Sequence, residues 1–90
     1  MDAERFEEIF DETDSNLKSL GGADNCWLGL LIIAKYMNPA KHTIVCGAEH
    51  DKIWSVDISE LCDAGITEED VVLLAQYNWC EEDGSLMCFV

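Results

Sequence analysis

The sequence predicts an α+β fold: a three- or four-stranded antiparallel sheet packed against helices on one face. Two patterns indicate this class. Apolar residues recur at helical spacing in the first part of the chain and again after residue 67, while β-branched runs and polar turns mark two hairpins. The 90 residues, of which 49% are hydrophobic, are enough for a single compact domain, 1–90, with a small core.

Helix 1 is predicted from residue 2 to about residue 20, because apolar residues spaced by three, four and seven form one buried stripe there. The stripe consists of Phe6, Ile9, Phe10 and Leu17. Gly21 and Gly22 are expected to end this helix. We therefore expect both Ile9 and Phe10 to lie in the interior.

Helix 2 is predicted for the segment CWLGLLIIAKYM, which Asp24 or Asn25 can cap. It is expected to end before Asn38 and Pro39, because the residue that precedes a proline disfavours helical geometry. Its apolar residues point in most directions around the helix axis. This pattern is typical of a central helix.

A β-hairpin is predicted after helix 2, with strands at 43–45 and 53–56 on either side of a polar turn at 49–52. The segment DISELCDAGI then predicts a short helix that begins at Asp57 or Ser59 and is closed by Gly65.

Thr67 begins the last predicted helix, TEEDVVLLAQY, because a threonine cap precedes acidic residues in the first turn. The final segment, NWCEEDGSLMCFV, predicts a second hairpin whose turn contains Asp83 and Gly84. The predicted order is helix, helix, hairpin, short helix, helix and a terminal strand or hairpin.

The charge balance is strongly acidic, with 19 Asp and Glu against 5 Lys and Arg and a formal net charge of −14. Such a surface repels phosphate groups, so direct binding to nucleic acid or to an anionic membrane is not expected. Charge complementarity favours a basic protein as partner.

The cysteines predict a reducing environment. The chain has five of them and no CxxC spacing, so neither a zinc ribbon nor a thioredoxin-like motif is indicated. The acidic N-terminus lacks the basic start and apolar core of a secretory signal, and the longest apolar stretch is far shorter than a membrane span. We therefore expect a cytoplasmic protein whose cysteines are reduced.

Cys26 and His42 are the candidate catalytic pair. The dipole of a helix favours the thiolate of a cysteine at its start, and a histidine can act as the base. The segments NCW and KHTIVCG, in this order, resemble the cysteine helix and the histidine strand of papain-like hydrolases, which would imply a cysteine hydrolase. The alternative is that Cys26 is a small buried hydrophobic residue and His42 lies at a strand edge. We prefer the alternative and predict no enzyme and no catalytic residue.

A zinc site is a further hypothesis, because His42, Cys46 and His50 are spaced by four residues and Cys88 could supply a fourth ligand. Gly47 and the turn near His50 break the strand register that would align them. We therefore predict neither a metal site nor a cofactor.

The outer face of helix 1 is the predicted partner-binding surface, since the helix can bury only one stripe. A second acidic group is expected at the start of the last helix. The candidate binding residues are Glu4, Glu7, Glu8, Asp11, Glu12 and Asp14 in the first group and Glu68, Glu69 and Asp70 in the second. Only Arg5 and Lys18 offset the first group, and we expect its charge not to be neutralised locally.

Carboxylates three or four residues apart on a helix are roughly 5 to 6 Å apart, so a double row of them can imitate the charge of a nucleic-acid backbone. In size, charge and compactness the chain resembles small acidic phage-encoded inhibitors, including anti-CRISPR proteins and DNA mimics. The resemblance implies an inhibitor that occupies the basic nucleic-acid channel of a host enzyme, and it transfers no functional residues. The alternative is a generic cytosolic protein-interaction module.

Overall fold

The computed structural model describes residues 1–14 and 21–90, and these ranges contain four helices and one four-stranded antiparallel sheet. The elements are α1 (Ala3–Glu12), α2 (Gly22–Tyr36), β1 (Gly47–Glu49), β2 (Lys52–Asp57), α3 (Ile58–Asp63), α4 (Glu68–Gln76), β3 (Cys80–Glu82) and β4 (Ser85–Phe89). The predicted α+β class is confirmed.

The sheet has the strand order β1-β2-β4-β3, and each neighbouring pair is antiparallel. Ile53 pairs with Cys88 and Trp54 pairs with Met87, and the register shifts between Trp54 and Asp57. Because side chains alternate along a strand, Ile53 and Cys88 face the helices while Trp54 and Met87 lie on the opposite face.

The core lies between the helices and the first of these two faces. Its largest fully buried side chains are Phe6, Ile33, Ile58, Leu61, Leu74, Leu86, Val71 and Cys88. Trp79 fixes α2 to the chain before β3, because its Nε1 donates a hydrogen bond of 2.9 Å to the Asn25 carbonyl oxygen. Gly29 is required at this contact, since a Cβ there would lie 1.9 Å from Trp79 Nε1.

Helix α1 is shorter than predicted. It ends at Glu12, and Thr13 is already extended with φ −91° and ψ 133°. Leu17, the last residue of the predicted stripe, lies outside the described residues. Ile9 is buried as expected, at 3% exposure. Phe10 is only half-buried, and its ring packs against that of Phe6 with the centroids 5.1 Å apart and the planes tilted by 50°.

Helix α2 begins earlier than predicted. Gly21 is its N-cap and Gly22 its first residue, so the two glycines open α2 instead of ending α1, and Asp24 and Asn25 lie inside the helix. The reason is a close contact with the end of the chain: a Cβ on Gly22 would lie 2.1 Å from the carbonyl carbon of Val90. Only glycine allows the first turn of α2 to pass there.

The predicted strand at 43–45 is wrong, because the first strand begins at Gly47. The preceding segment nevertheless follows β2. Ile44 accepts a hydrogen bond from the Ser55 hydroxyl, and the Cys46 N–H donates to the Trp54 carbonyl oxygen at 2.8 Å. The segment is held by these two bonds, to the adjacent residues Trp54 and Ser55 of β2, and does not form a regular ladder.

The second half of the chain agrees closely with the prediction. The Thr67 hydroxyl accepts a hydrogen bond from the Asp70 N–H at 3.2 Å, which caps α4. Gly65 closes α3 with φ +90°, and Asp83 and Gly84 form the β3–β4 turn with φ +52° and +85°.

Candidate protein-binding surface

Helix α1 presents a row of exposed carboxylates to solvent. Phe6 and Ile9 face the core. The acidic residues of α1 recur at spacings of three, four or seven positions, so they share the outer side of the helix. The exposed members on α1 and just beyond its end are Glu4, Glu7, Glu8, Asp11, Glu12 and Asp14. These residues are therefore exposed, as the sequence predicts. Their role in binding a partner stays a prediction.

Arg5 joins the two acidic groups that the sequence treats separately. Its Nη2 and Nε donate to the two oxygens of Glu68 at 2.9 and 3.3 Å, and its Nη1 lies 3.3 Å from Glu8 and 3.7 Å from Glu12. The start of α4 therefore lies beside α1. The two groups form one continuous surface, which we call the acidic surface: Glu4, Glu7, Glu8, Asp11, Glu12, Asp14, Glu68 and Glu69.

The expectation that nothing local neutralises this surface is wrong for its middle. Hydrogen bonds to Glu68 and then to Glu8 raise the pKa of Arg5 above its ordinary value. In return, the hydrogen bond from Arg5 lowers the pKa of Glu68. Arg5 therefore links Glu8 and Glu12 of α1 to Glu68 of α4.

The rest of the acidic surface is unpaired within the described part of the chain. There, the only Lys and Arg ion pairs are those of Arg5 and the pair of Lys35 with Asp70. The acidic-surface members without such a partner are Glu4, Glu7, Asp11, Asp14 and Glu69. These carboxylates are available to an external cation.

Asp70 does not belong to the acidic surface, and the prediction that groups it there is corrected. It is only 7% exposed, and its Oδ2 accepts hydrogen bonds from the Tyr36 hydroxyl and from Lys35 Nζ, the latter at 2.7 Å. Burial raises the pKa of the Asp70 carboxyl, but the hydrogen bonds from Lys35 and Tyr36 outweigh it and the pKa is lowered. Asp70 connects α2 to α4 and is occupied by these partners.

An exposed apolar pair on α2 was not predicted. Trp27 is 61% exposed and Leu31, one turn later, is 47% exposed. Sequence reasoning placed this helix at the centre of the fold because apolar residues surround it. Gly29 is the signal that could have indicated its orientation: it marks the side that packs closest to another element, and Trp27 and Leu31 lie away from that side.

Cys26 and His42 lie too far apart to form a catalytic pair. Cys26 is buried in the second turn of α2 and its thiol donates to the Phe89 carbonyl oxygen at 3.7 Å. The ten residue steps from Cys26 to Tyr36 span about 15 Å of helix. His42 stays beyond the far end, because its N–H donates to the Asn38 carbonyl oxygen at 2.9 Å.

The zinc hypothesis finds no support in residues 1–14 and 21–90, where no group of three or more His, Cys, Asp or Glu side chains is arranged to hold a metal ion. The Cys46 thiol donates to the Thr43 carbonyl oxygen at 3.5 Å, and His50 lies in the β1–β2 turn. All five cysteines are free thiols.

A scan against protein-family models, a search of curated proteins and a search of solved structures return no match for this chain. Among the described helices, none has both the length and the apolar character needed to cross a membrane.

Proposed function

We propose that this protein is an acidic protein-binding inhibitor that occupies the basic nucleic-acid-binding surface of a host defence or DNA-handling protein. The observation that supports the proposal is the acidic surface itself, in which unpaired carboxylates continue from α1 onto the first turn of α4. Small acidic phage-encoded inhibitors of anti-CRISPR or DNA-mimic type would act in this way. The proposal includes no catalytic residue, metal or cofactor.

Electrostatics determines the class of partner. With a formal net charge of −14, the protein repels nucleic acid and attracts basic surfaces. Opposite charges on the two proteins raise their rate of association. Repulsion between like charges disfavours the binding of acidic proteins to the acidic surface. A nucleic-acid-binding protein carries the required basic surface, and its natural ligand has the same charge as the acidic surface.

The arrangement of the carboxylates supports competition with nucleic acid. Residues three or four apart on α1 place the Cβ atoms that carry their carboxylates at intervals of about 5 to 6 Å. Arg5 holds Glu68 beside Glu8, which extends the row across two elements. A rigid anionic array loses less conformational entropy on binding than a flexible acidic tail would.

Capture followed by competition tests this function. The protein is immobilised and incubated with host lysate in low salt, and the bound fraction is challenged with duplex DNA. We expect a basic nucleic-acid-binding protein that DNA displaces and that salt releases, because exposed charge pairs are screened. A captured protein that is not basic, or that DNA leaves in place, contradicts the proposal.

A generic interaction module is the second candidate function, and the exposed pair Trp27 and Leu31 favours it. Exposed tryptophan is enriched among residues that dominate interface energies. Binding of this kind would persist in high salt and would be lost in Trp27→Ser with Leu31→Ser, while the acidic surface would be dispensable. The salt dependence of the captured complex therefore separates the two functions.

We further propose that the protein acts in the cytoplasm. The free thiols support a reducing compartment, since oxidising compartments favour disulfides.

A further inference from the structure

A cleft separates α1 from the start of β3, and it has a volume of about 440 Å³. Its lining consists of Glu7, Phe10, Asp11, Asn78, Trp79, Cys80 and Glu81. The cleft lies at one edge of the acidic surface, since Glu7 and Asp11 belong to both. It is a concave part of that surface.

The cleft is lined by carboxylates whose negative charge is not balanced by a nearby Lys or Arg of the described residues. Glu7 and Asp11 lie one helical turn apart on one wall, and Glu81 stands on the β3 side. None of these carboxylates pairs with a Lys or Arg of the described residues, because Arg5 bonds to Glu68, Glu8 and Glu12 instead. A cation from outside the chain would complete the charge balance here.

The β3 side of the cleft is rigid. Glu81 Oε1 accepts a hydrogen bond of 2.6 Å from the Gly84 N–H, which fixes its carboxylate against the β3–β4 turn. The wall is therefore pre-organised for a positive group.

Two aromatic residues, Phe10 and Trp79, belong to the remaining lining together with Asn78 and Cys80. Trp79 is 2% exposed, and its indole is held by the hydrogen bond from Nε1 to the Asn25 carbonyl oxygen and by contact with Gly29. Phe10 is half-buried above it on α1. A long basic side chain can pack its methylene groups on the exposed part of Phe10 while its charged end meets carboxylates.

We propose that this cleft receives an arginine side chain of the basic partner protein, an inference that rests on the proposed function. Arginine fits better than lysine, because its planar guanidinium can donate to several carboxylates at once while its stem packs on Phe10. The cleft is thereby the specific part of a surface whose other carboxylates act mainly through long-range attraction.

The test uses blocked pentapeptides, Gly-Gly-Arg-Gly-Gly and Gly-Gly-Lys-Gly-Gly, because a single charge limits binding to dispersed sites. They are titrated into ¹⁵N-labelled protein in low salt and followed by amide chemical shifts. We expect saturable shifts centred on Phe10, Trp79 and Cys80, with tighter binding of the arginine peptide.

Matched variants complete the test. Glu7→Gln with Asp11→Asn should weaken binding of the arginine peptide by about tenfold. Glu60→Gln with Asp63→Asn makes the same change of charge on α3, where both residues are exposed, and should leave binding within about twofold.

Equal losses in the two variants, equal affinity for both peptides, or no saturable binding would each overturn the assignment of the cleft. None of these results depends on the partner protein. The proposed function can therefore stand if the cleft assignment fails, and lysate capture can fail while the cleft still binds arginine.

Discussion

Asp70 shows how one buried carboxylate can hold two helices together. It accepts hydrogen bonds from Lys35 and Tyr36 of α2, and its own N–H donates to the Thr67 cap of α4. The pKa of Asp70 is lowered in the folded protein despite its burial. A lowered folded pKa adds stability that is complete above the unfolded pKa and is lost as the pH falls through the folded pKa.

Asp70→Asn should therefore lower the free energy of unfolding at pH 7 by about 1 to 3 kcal/mol, because it removes the charge that Lys35 and Tyr36 bind. The difference from the wild type should narrow as the pH falls below about 4, the ordinary pKa of an aspartate in an unfolded chain, and on through the lower pKa of folded Asp70. Urea unfolding at several pH values measures both effects. Glu69→Gln, at an exposed neighbour, is the control and should change stability by less than about 0.5 kcal/mol. A difference that stays constant from pH 7 to pH 2.5 would contradict this role of the ionised carboxylate.

Gly29→Ala tests the contact between α2 and Trp79. The new Cβ would lie 1.9 Å from Trp79 Nε1, so the indole must move away from the Asn25 carbonyl oxygen. We expect a loss of about 1 to 3 kcal/mol or more in the free energy of unfolding, measured by chemical denaturation. Gly21→Ala is the control, since a Cβ there meets nothing within 4 Å and the backbone is extended. Equal effects of the two substitutions would contradict the close approach.

At the scale of elements, the packing of α1 against the core depends more on Phe6 than on Phe10. Phe6 has no exposed surface, whereas Phe10 is half-buried beside the cleft. Phe6→Ala should cost about 3 to 5 kcal/mol of unfolding free energy. Phe10→Ala should cost only about 1 to 2 kcal/mol, because part of its surface already contacts solvent. Thermal and urea unfolding compare the two, and similar losses would show that Phe10 is part of the core.

The elements that the sequence predicts well are those with local signals. The Thr67 cap and the Asp83–Gly84 turn involve residues close in sequence, and α4 and the last hairpin form where they indicate. The start of α2 depends instead on a contact with Val90, at the other end of the chain. Local patterns cannot contain such a contact.

The same distinction applies to the candidate site. The outward row on α1 follows from the buried stripe at Phe6 and Ile9, so the sequence predicts it. The link from Arg5 to Glu68 joins residues 63 positions apart, and no local pattern indicates it. Asp70 turns inward because donors on another helix lie within reach, which only the packing of α2 against α4 reveals.

At the scale of the molecule, the acidic surface combines fixed and available charge. Arg5 organises its middle, while Glu4, Asp14 and Glu69 lie outside both the Arg5 pairs and the cleft. These three residues can be reversed in charge without removing a described ion pair. They therefore test the role of the whole surface separately from that of the cleft.

The matched control reverses charge on other parts of the molecule: Asp24→Lys, Glu60→Lys and Asp63→Lys. Asp24 and Glu60 occupy first turns of helices, as Glu4 and Glu69 do, so the two triple variants lose comparable interactions with helix dipoles. Both variants also change the net charge by the same amount. A difference in binding between them reports the position of the charges.

The most direct test of the central claim is displacement of labelled duplex DNA from the captured basic protein, followed by fluorescence polarisation in low salt. We predict that the wild type and the control variant both displace the DNA, and that Glu4→Lys with Asp14→Lys and Glu69→Lys displaces it at least about tenfold less well. Equal displacement by the two triple variants would contradict the claim that the acidic surface occupies the DNA-binding face.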